Sequence, residues 1–458
     1  MNQHKETITL VGAGLVGSLL AVLLARRGFN VEIFERRPDM RSTDISAGRS
    51  INLALANRGI YPLEQAGLME KVSPILTPMK GRMVHDILGN QNFQSYGQKP
   101  EEVIYSVSRG DLNKICMSAA EATGLVKIHF NQKCESVDLD NNLLTLQDEI
   151  TGAKQQRKYT RLVGTDGSAS AVREAIHAVK STQHDILELG HSYKELRIPP
   201  GENGTFLIDK NSLHIWPRGG YMLIALPNED ASFTVTLFMP TEGDISFAAI
   251  DSPEKVQAFF REQFPSTLSL LPDLNKDFFD NPTGKLATVK CAPWHYQDKA
   301  LLLGDAAHAI VPFHGQGMNC GFEDALALVE TIDKYADDWH KIFTTVDNDR
   351  KVNGDAIADM AIENYITMRD SVRDEKFLLK SALAFELERR YPDYFCPRYS
   401  MVMFHRLPYA EAKERGVIQE TILHQLTESI DNVESVDFAL AESLIKEKLK
   451  PVILNPNH

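Results

Sequence analysis

The chain has 458 residues, of which 49 are Lys or Arg and 62 are Asp or Glu, so its formal net charge is −13 at pH 7. This length allows roughly two or three domains with a substantial core, and the acidic excess argues against nucleic acid or an anionic membrane as the main partner. The five cysteines are scattered, with no Cys-x-x-Cys pair, so the composition predicts a cytoplasmic protein without a metal site.

The first predicted element is a buried strand that leads directly into a glycine-rich turn. Residues 7–11 are apolar, three glycines follow with the spacing Gly-x-Gly-x-x-Gly, and residues 18–27 are typical of a helix. In a dinucleotide-binding βαβ unit these glycines permit the tight turn, the approach of a pyrophosphate and close helix packing. An acid that ends the next strand, roughly 20 residues on, binds ribose hydroxyls. The predicted dinucleotide-binding residues are Gly12, Gly14, Leu15, Val16, Gly17 and Glu35.

A second strand runs into an Asp-Gly turn in the middle of the chain. Residues 162–165 form this strand, Asp166 follows it, and a helix opens near Ser170 and Arg173. Taken alone, the segment is an ordinary strand-to-helix turn with a capping serine. The segment stands between the glycine-rich turn at residues 12–17 and a Gly-Asp turn at residues 304–305. We therefore predict that Asp166 contacts a cofactor.

Three further strands are predicted in the central part of the chain. Residues 213–216, 221–226 and 232–238 have β-branched or aromatic content and are separated by Pro, Gly and Asn. This pattern is typical of an antiparallel sheet. We expect the sheet to cover a substrate pocket.

The most informative segment begins with the apolar strand at residues 300–303. Gly304 and Asp305 follow, and after a turn of small residues a helix is predicted over residues 320–328. The N-terminus of a helix offers unpaired N–H groups to anions, and a carboxylate accepts hydrogen bonds from ribose-type hydroxyls. The segment therefore suits a phosphorylated cofactor. Beyond residue 374 the chain is predicted to be helical, most clearly at residues 375–383.

The order of these motifs resembles that of the single-component FAD-dependent aromatic hydroxylases. A glycine fingerprint, an Asp-Gly turn with a trailing Ser and Arg, and Gly-Asp-Ala-Ala-His occur in that order. More specific segments resemble the members that hydroxylate L-kynurenine; they are residues 34–38, 48–55, 81–85, 213–217, 312–320 and 397–401. The resemblance implies an α/β fold: a Rossmann-like FAD-binding domain of the p-hydroxybenzoate-hydroxylase type, an antiparallel β-sheet substrate domain and C-terminal helices.

The resemblance also implies a discontinuous domain organisation. The FAD-binding domain is expected from residues 1–77, 105–180 and 288–370, and the substrate domain from residues 78–104 and 181–287. Residues 371–458 are expected to form a C-terminal helical region. No apolar run reaches the roughly 18 residues of a membrane span, and no signal peptide precedes the first strand, so we expect no membrane anchor.

The implied cofactors are FAD, with NADPH and O2 as co-substrates. The family reaction passes through a flavin C4a-hydroperoxide and yields 3-hydroxy-L-kynurenine, a step of tryptophan breakdown towards NAD. The chain contains no second glycine fingerprint, so the choice of NADPH over NADH depends on the resemblance alone. Further implied cofactor-binding residues are Arg36, Arg109, Asp305, Gly315, Gln316, Gly317, Met318 and Asn319. Pro312, Phe313 and His314 are implied to lie over the flavin ring, although His314 also has an interpretation as a structural hydrogen-bonding residue.

Kynurenine has a charged amino-acid tail, and a planar Arg fork fits its carboxylate best. The resemblance assigns this task to Arg82, with Tyr96, Asn364 and Tyr399 as further substrate residues. The alternatives are a surface salt bridge for Arg82 and a packed core position for Tyr399. Two other functions stay open: a related flavin hydroxylase of another aryl acid or phenol, and a flavin-free binding protein of the same fold.

Overall fold

A computed structural model describes residues 6–42, 52–180, 182, 185–372 and 374–454. Residues 48–51, part of one segment that carries the resemblance, lie outside this described part. The chain divides into two compact units. The first unit comprises residues 1–76, 107–189 and 286–358, and the second comprises residues 77–106, 190–285 and 359–458. The predicted boundaries of the FAD-binding, substrate and C-terminal regions stay a prediction.

Strands predominate in the first two thirds of the described chain, and helices predominate in the last third. The strands are β1 (Thr7–Val11), β2 (Asn30–Phe34), β3 (Asn52–Leu55), β4 (Thr77–Met79), β5 (Gly81–His85), β6 (Gln91–Ser95), β7 (Ile104–Ser108), β8 (Val126–His129), β9 (Gln132–Asp138), β10 (Leu143–Asp148), β11 (Lys154–Lys158), β12 (Arg161–Gly164), β13 (Asp185–Ile198), β14 (Ser212–Pro217), β15 (Met222–Pro227), β16 (Phe233–Pro240), β17 (Gly284–Lys290), β18 (His295–Tyr296) and β19 (Ala300–Leu302). The α-helices are α1 (Leu15–Ala25), α2 (Asn57–Gln65), α3 (Met69–Val72), α4 (Arg109–Ala122), α5 (Ala171–Lys180), α6 (Pro253–Gln263), α7 (Leu274–Asp280), α8 (Asp305–His308), α9 (Gly317–Tyr335), α10 (Trp339–Ile366), α11 (Glu375–Arg390), α12 (Arg398–Met403), α13 (Tyr409–Thr427) and α14 (Phe438–Lys448).

The first unit is built on a six-stranded sheet in the order β18-β19-β12-β1-β2-β8. All neighbours pair in parallel except the edge strand β18. Helix α1 packs against α4 and α9, and every residue of α1 except Val16 is buried. A helix that is apolar on all faces belongs inside a fold, so the predicted Rossmann-like βαβ unit is confirmed.

The order of the central strands brings the three sequence motifs to one edge of this sheet. Val11 of β1 is aligned with Gly164 of β12, and Gly164 is aligned with Leu302 of β19. Parallel neighbours end at the same edge, where ligands bind in α/β folds. The glycine turn, the Asp-Gly turn and the Gly-Asp turn are therefore neighbours.

The second unit contains a mostly antiparallel sheet with β13, β16, β15, β14, β5 and β6 in that order. The three predicted central strands are confirmed as the antiparallel neighbours β14, β15 and β16. β5 pairs with β14 in parallel, which the sequence pattern did not indicate. Phe233 and Leu237 on this sheet belong to one buried cluster with Phe260 of α6 and Phe278 of α7.

The C-terminal helices share a buried cluster of their own. Leu383 and Leu387 of α11 pack with Ile422 of α13 and Ile445 of α14. The helical character predicted beyond residue 374 is confirmed. Among the described helices, none combines the length and apolarity that a membrane crossing requires.

Candidate cofactor and substrate sites

The three fingerprint glycines have different surroundings. Gly12 has φ +100°, and a Cβ there would lie 2.5 Å from the Thr165 carbonyl oxygen. A Cβ on Gly17 would lie 2.1 Å from the carbonyl oxygen of Gly12, whereas a Cβ on Gly14 would meet no atom within 4 Å. The first and third glycines are therefore required by contacts inside the protein. Gly14 borders open space at the N-terminus of α1, whose first N–H groups have no intrahelical acceptor.

Glu35 is buried at the end of β2. Its Oε2 accepts a hydrogen bond from Ala13 N at 2.8 Å, and its Oε1 accepts from Arg37 N at 2.9 Å and from Arg37 Nε at 2.8 Å. Burial raises the pKa of the Glu35 carboxyl. The hydrogen bonds and charge of Arg37, together with the Ala13 N–H, lower this pKa by more than burial raises it. The net pKa is lowered, so Glu35 is an anion at neutral pH.

The arginine that pairs with Glu35 is the one that sequence reasoning passed over. Arg37 forms the ion pair, and Arg36, which was predicted to bind the cofactor, is exposed. Arg109, at the first turn of α4, is exposed as well. Cofactor roles for Arg36 and Arg109 stay predictions.

Asp166 follows β12 and caps the next helix. Its Oδ2 accepts a hydrogen bond from Ala171 N at 2.8 Å, while its buried Oδ1 has no hydrogen-bond partner among the described residues. Ser170 Oγ accepts from Arg173 N at 3.0 Å, and Arg173 Nη1 donates to the Ala306 carbonyl at 3.0 Å. The trailing Ser and Arg of this motif thus hold the second turn to the third.

Asp305 is exposed at the start of α8 and follows Gly304, which has φ +60°. The turn is held from behind by Asp324 of α9. Asp324 Oδ2 accepts hydrogen bonds from Gly304 N at 3.0 Å and from His308 Nε2 at 2.5 Å, and its Oδ1 accepts from Arg350 Nε at 2.7 Å. Although burial raises the pKa of Asp324, His308 and Arg350 lower it to about 2. His308 is buried in this network, and Asp324 is a residue that sequence reasoning missed.

The segment before α9 turns at Gly315, which has φ +65°. Phe313, His314 and Gln316 are buried. Asn319 Nδ2 donates to the carbonyls of Ala54 at 2.8 Å and Gly315 at 2.7 Å. The Asn319 amide is thereby committed to the protein, and the backbone N–H groups at the start of α9, including those of Gly317 and Met318, are the donors that the helix offers to a ligand.

This donor set in the first unit fits FAD. Two helix N-termini provide N–H groups for phosphates, and Gly14 leaves room for a close approach. The Glu35 carboxylate and the buried Asp166 Oδ1 provide acceptors for hydroxyl groups.

Arg82, Tyr96 and Tyr399 come together in the second unit. The guanidinium carbon of Arg82 lies 5.5 Å from the ring centroid of Tyr96 and 5.8 Å from that of Tyr399. The two rings stack at 5.1 Å with an interplanar angle of 15°. Within the described chain, Arg82 forms no ion pair with a carboxylate. Burial raises the pKa of both phenols more than Arg82 lowers it, so both hydroxyls stay protonated at neutral pH.

Asn364 lies on α10, where its Nδ2 donates to Met368 Sδ at 3.3 Å. The neighbouring Glu363 accepts a hydrogen bond from Arg398 Nη1 at 2.7 Å. This ion pair joins α10 to the helix that carries Tyr399. The substrate role of Asn364 stays a prediction.

A buried pair of histidines joins the neighbouring strands β5 and β14. His85 Nε2 and His214 Nδ1 are 2.8 Å apart, and His214 Nε2 lies 2.7 Å from the Asp209 carbonyl oxygen. A carbonyl only accepts, so His214 donates to Asp209 and in turn accepts from His85. Burial, His214 and Arg218 lower the pKa of His85 to about 3, against the opposing effect of Asp86. Burial also lowers the pKa of His214, so both rings are neutral at physiological pH.

Comparison with known proteins gives the family context. The FAD binding domain family model matches residues 5–341. The chain is 49% identical over 448 residues to kynurenine 3-monooxygenase of Myxococcus xanthus (strain DK1622), which covers 98% of this chain and 96% of that relative. It is 45% identical to the enzyme of that name from Dictyostelium discoideum, with 97% of this chain and 98% of the relative covered.

Solved structures share the fold at much lower identity. The tetrameric form of 2-methyl-3-hydroxypyridine-5-carboxylic acid oxygenase superposes with a TM-score of 0.66 at 19% identity, covering 84% of this chain and 98% of that one. Pseudomonas aeruginosa PqsL in complex with 2-aminobenzoylacetate superposes with a TM-score of 0.65 at 18% identity, covering 80% of this chain and 97% of that one.

Proposed function

We infer the function of this chain from its family. It belongs to the kynurenine 3-monooxygenases, which match nearly its whole length, and it contains an FAD binding domain. We propose that the chain hydroxylates L-kynurenine to 3-hydroxy-L-kynurenine, with FAD as cofactor and NADPH and O2 as co-substrates. The observation that carries this proposal is that the alignment covers both proteins almost completely. It includes 98% of this chain and 96% of a relative of that name.

FAD, when bound, supplies the redox and oxygen chemistry, and the protein supplies binding and orientation. We propose that the N–H groups at the start of α1 and α9 bind the phosphates and the polar edge of the flavin. Glu35, Asp166 and Asp305 would accept hydrogen bonds from its hydroxyl groups. The buried Phe313 and His314 would keep water from the reacting ring.

The substrate carboxylate is assigned to Arg82. The guanidinium is half-buried and lacks a carboxylate partner among the described residues, so an anionic ligand would supply the missing charge. Tyr96 and Tyr399 flank it with stacked rings and protonated hydroxyls that can donate to the same carboxylate. Asn364 is proposed as a further contact. The aryl amine of kynurenine activates its own ring, so the proposal requires no general base from the protein.

We propose a cytoplasmic location. All five cysteines are free thiols, which supports a reducing compartment.

The test is product analysis with purified holoenzyme, NADPH, air and L-kynurenine. The expected product is one oxygen heavier than the substrate and is absent when NADPH is omitted. NADPH oxidation that yields only peroxide would exclude L-kynurenine as the substrate but would still indicate a flavin monooxygenase. Product analysis with p-hydroxybenzoate would then test the alternative of another aryl acid. A protein that binds no FAD would support the binding-protein alternative.

A further inference from the structure

A group of potential metal ligands lies beside the substrate residues of the second unit. Glu388 of α11, Cys396 and His405 each present one ligand atom, and these atoms all lie within 4.8 Å of one another. Cys396 is buried, and the other two side chains are half-buried. The three residues come from separate points of the chain, so their spacing did not reveal them as a group.

A second carboxylate, that of Glu102, borders this group. Gln98 N donates to Glu102 Oε2 at 2.7 Å, and Gln98 Nε2 donates to Glu388 Oε2 at 2.6 Å, so one residue bridges the two acids. Glu102 is only 4% exposed, and its buried Oε1 has no hydrogen-bond partner in the described structure. The mostly exposed Lys99 forms an ion pair with that oxygen, with its Nζ at 3.4 Å. His405 Nε2 is likewise buried without a hydrogen-bond partner among the described residues.

A second grouping of the same residue types shows what a satisfied cluster looks like. His308, Cys320 and Asp324 of the first unit also present ligand atoms within 4.8 Å of one another. There, however, Asp324 already pairs with Arg350 at 2.7 Å and with His308 at 2.5 Å. The Asp324 carboxylate is neutralised by protein cations, and that cluster carries no site.

We propose that Glu388, Cys396 and His405 bind a soft divalent cation of the Zn²⁺ type, with Glu102 as the fourth ligand. Thiolate, imidazole and carboxylate together are the ligand set that Zn²⁺ prefers, whereas Mg²⁺ and Ca²⁺ take oxygen alone. In a tetrahedral site with ligand bonds of about 2.0–2.3 Å, neighbouring ligand atoms stand about 3.3–3.7 Å apart. The ligand atoms of Glu388, Cys396 and His405 lie within 4.8 Å of one another, so each pair needs to approach by no more than about 1.5 Å. Glu102 lies outside that trio and would have to swing in as the fourth ligand.

The charges of the group favour a cation. The carboxylates of Glu388 and Glu102 lie near the Cys396 thiol, and a metal-free thiol carries a proton. Binding of Zn²⁺ displaces this proton to solvent and forms the zinc–sulfur bond, with no change in oxidation state. The doubly positive ion then offsets the thiolate and the two carboxylates, with Lys99 as the remaining counter-charge.

The site brackets the short helix that carries Tyr399. Cys396 precedes α12 and His405 follows it. A metal that draws both residues towards Glu388 moves the two ends of α12, and Tyr399 with them. This second consequence rests on the proposed function, whereas metal binding itself does not. We expect zinc to raise the KM for kynurenine by about threefold or more.

The experiment titrates Zn²⁺ into chelator-treated holoenzyme against a chromophoric competitor. We expect one equivalent of zinc per FAD, with binding about tenfold weaker or worse in Cys396→Ser and His405→Gln. Cys134→Ser removes a buried cysteine outside the cluster and should bind zinc normally. Co²⁺ difference spectra against the flavin background should show a thiolate charge-transfer band that Cys396→Ser lacks.

The outcomes separate the claims. Failure of the parent protein to bind stoichiometric zinc, or equal binding by Cys396→Ser, overturns the site. Stoichiometric zinc without a change in KM overturns the effect on Tyr399. Zinc binding by a protein that does not turn over kynurenine overturns the proposed function and leaves the site standing. If Cys396→Ser or His405→Gln fails to retain FAD, Glu388→Gln is titrated in its place, because its side-chain amide has nearly the same shape as the carboxylate.

Discussion

The rings of Tyr96 and Tyr399 stack 5.1 Å apart, and the Arg82 guanidinium lies against both of them. Aromatic faces attract the cation and hold its plane in one orientation. The arrangement fixes the plane of the Arg82 guanidinium, and it brings together three residues whose substrate roles were each predicted separately.

Replacement of Arg82 tests the carboxylate assignment. Arg82→Ala should weaken kynurenine binding by about 2 kcal/mol, roughly thirtyfold, because a charge-assisted pair is lost. Arg82→Lys should fall in between, since it keeps the charge and loses the fork. Substrate titration of flavin fluorescence measures both. Arg197→Lys, at an exposed ion pair with Asp230, is the control, and unchanged affinity in Arg82→Ala would refute the assignment.

Alanine at two fingerprint glycines should separate folding from cofactor binding. Gly17→Ala places a Cβ 2.1 Å from the Gly12 carbonyl oxygen and should destabilise the FAD-free protein by about 3 kcal/mol or more. Gly14→Ala meets no protein atom within 4 Å, so it should leave that stability unchanged and weaken FAD binding about tenfold. Denaturant unfolding of apoprotein and FAD titration measure the two effects. Equal loss of apoprotein stability in both variants would contradict this division.

Removal of the Asp324 charge should destabilise the first unit. Asp324→Asn leaves His308 without its buried counter-charge and Arg350 with only Glu323, at 3.4 Å, and should cost about 3–5 kcal/mol. The exposed pair of Asp333 with Arg27, at 2.6 Å, provides a control, because Asp333→Asn should cost less than about 1 kcal/mol. Urea unfolding curves measured side by side give the comparison. A small effect in Asp324→Asn would show that the network contributes little.

Acid should weaken the folded state through the histidine pair. The pKa of His85 falls from 6.5 to about 3 on folding, so the unfolded chain binds the proton first as the pH drops. The stability that this group contributes is present above pH 6.5 and is lost as the pH falls towards 3, with a slope of up to about 1.4 kcal/mol per pH unit.

The histidine contribution is measured as the free energy of unfolding between pH 7 and pH 5. His85→Phe keeps a ring against Trp216, which stacks on His85 at 4.2 Å, and should flatten this dependence. His424→Gln, at an exposed histidine, should not. A dependence that is equally steep in His85→Phe would exclude the pair as its source.

Sequence reasoning predicted the parts of the fold that depend on local pattern. The glycine spacing of residues 12–17 and the alternating strands of the central sheet have physical causes that operate over a few residues. Relations between distant side chains did not follow in this way. The sequence Glu35-Arg36-Arg37 does not tell which arginine turns back to the carboxylate, because side-chain direction is decided by the packing around the end of β2.

The same limit applies to the networks behind the candidate site. Asp324 resembles any other helical acid in the sequence, and only the fold brings it to Gly304 and Arg350. His85 and His214 meet because β5 and β14 pair in parallel. These strands are far apart in the sequence, so no hairpin turn indicates that they are neighbours. The Glu388, Cys396 and His405 group likewise depends on how α11 and α12 pack.

The strand order of the first unit has a consequence for biosynthesis. β1 is made first, yet it lies inside the sheet between β2 and β12, and β12 lies between β1 and β19. A ribosome must therefore deliver residues up to 302 before the strand beside β12 exists, and α9 follows later still. The nascent chain cannot bring together the three turns and the start of α9 until most of the protein has emerged. FAD binding is therefore a late event in the maturation of this protein.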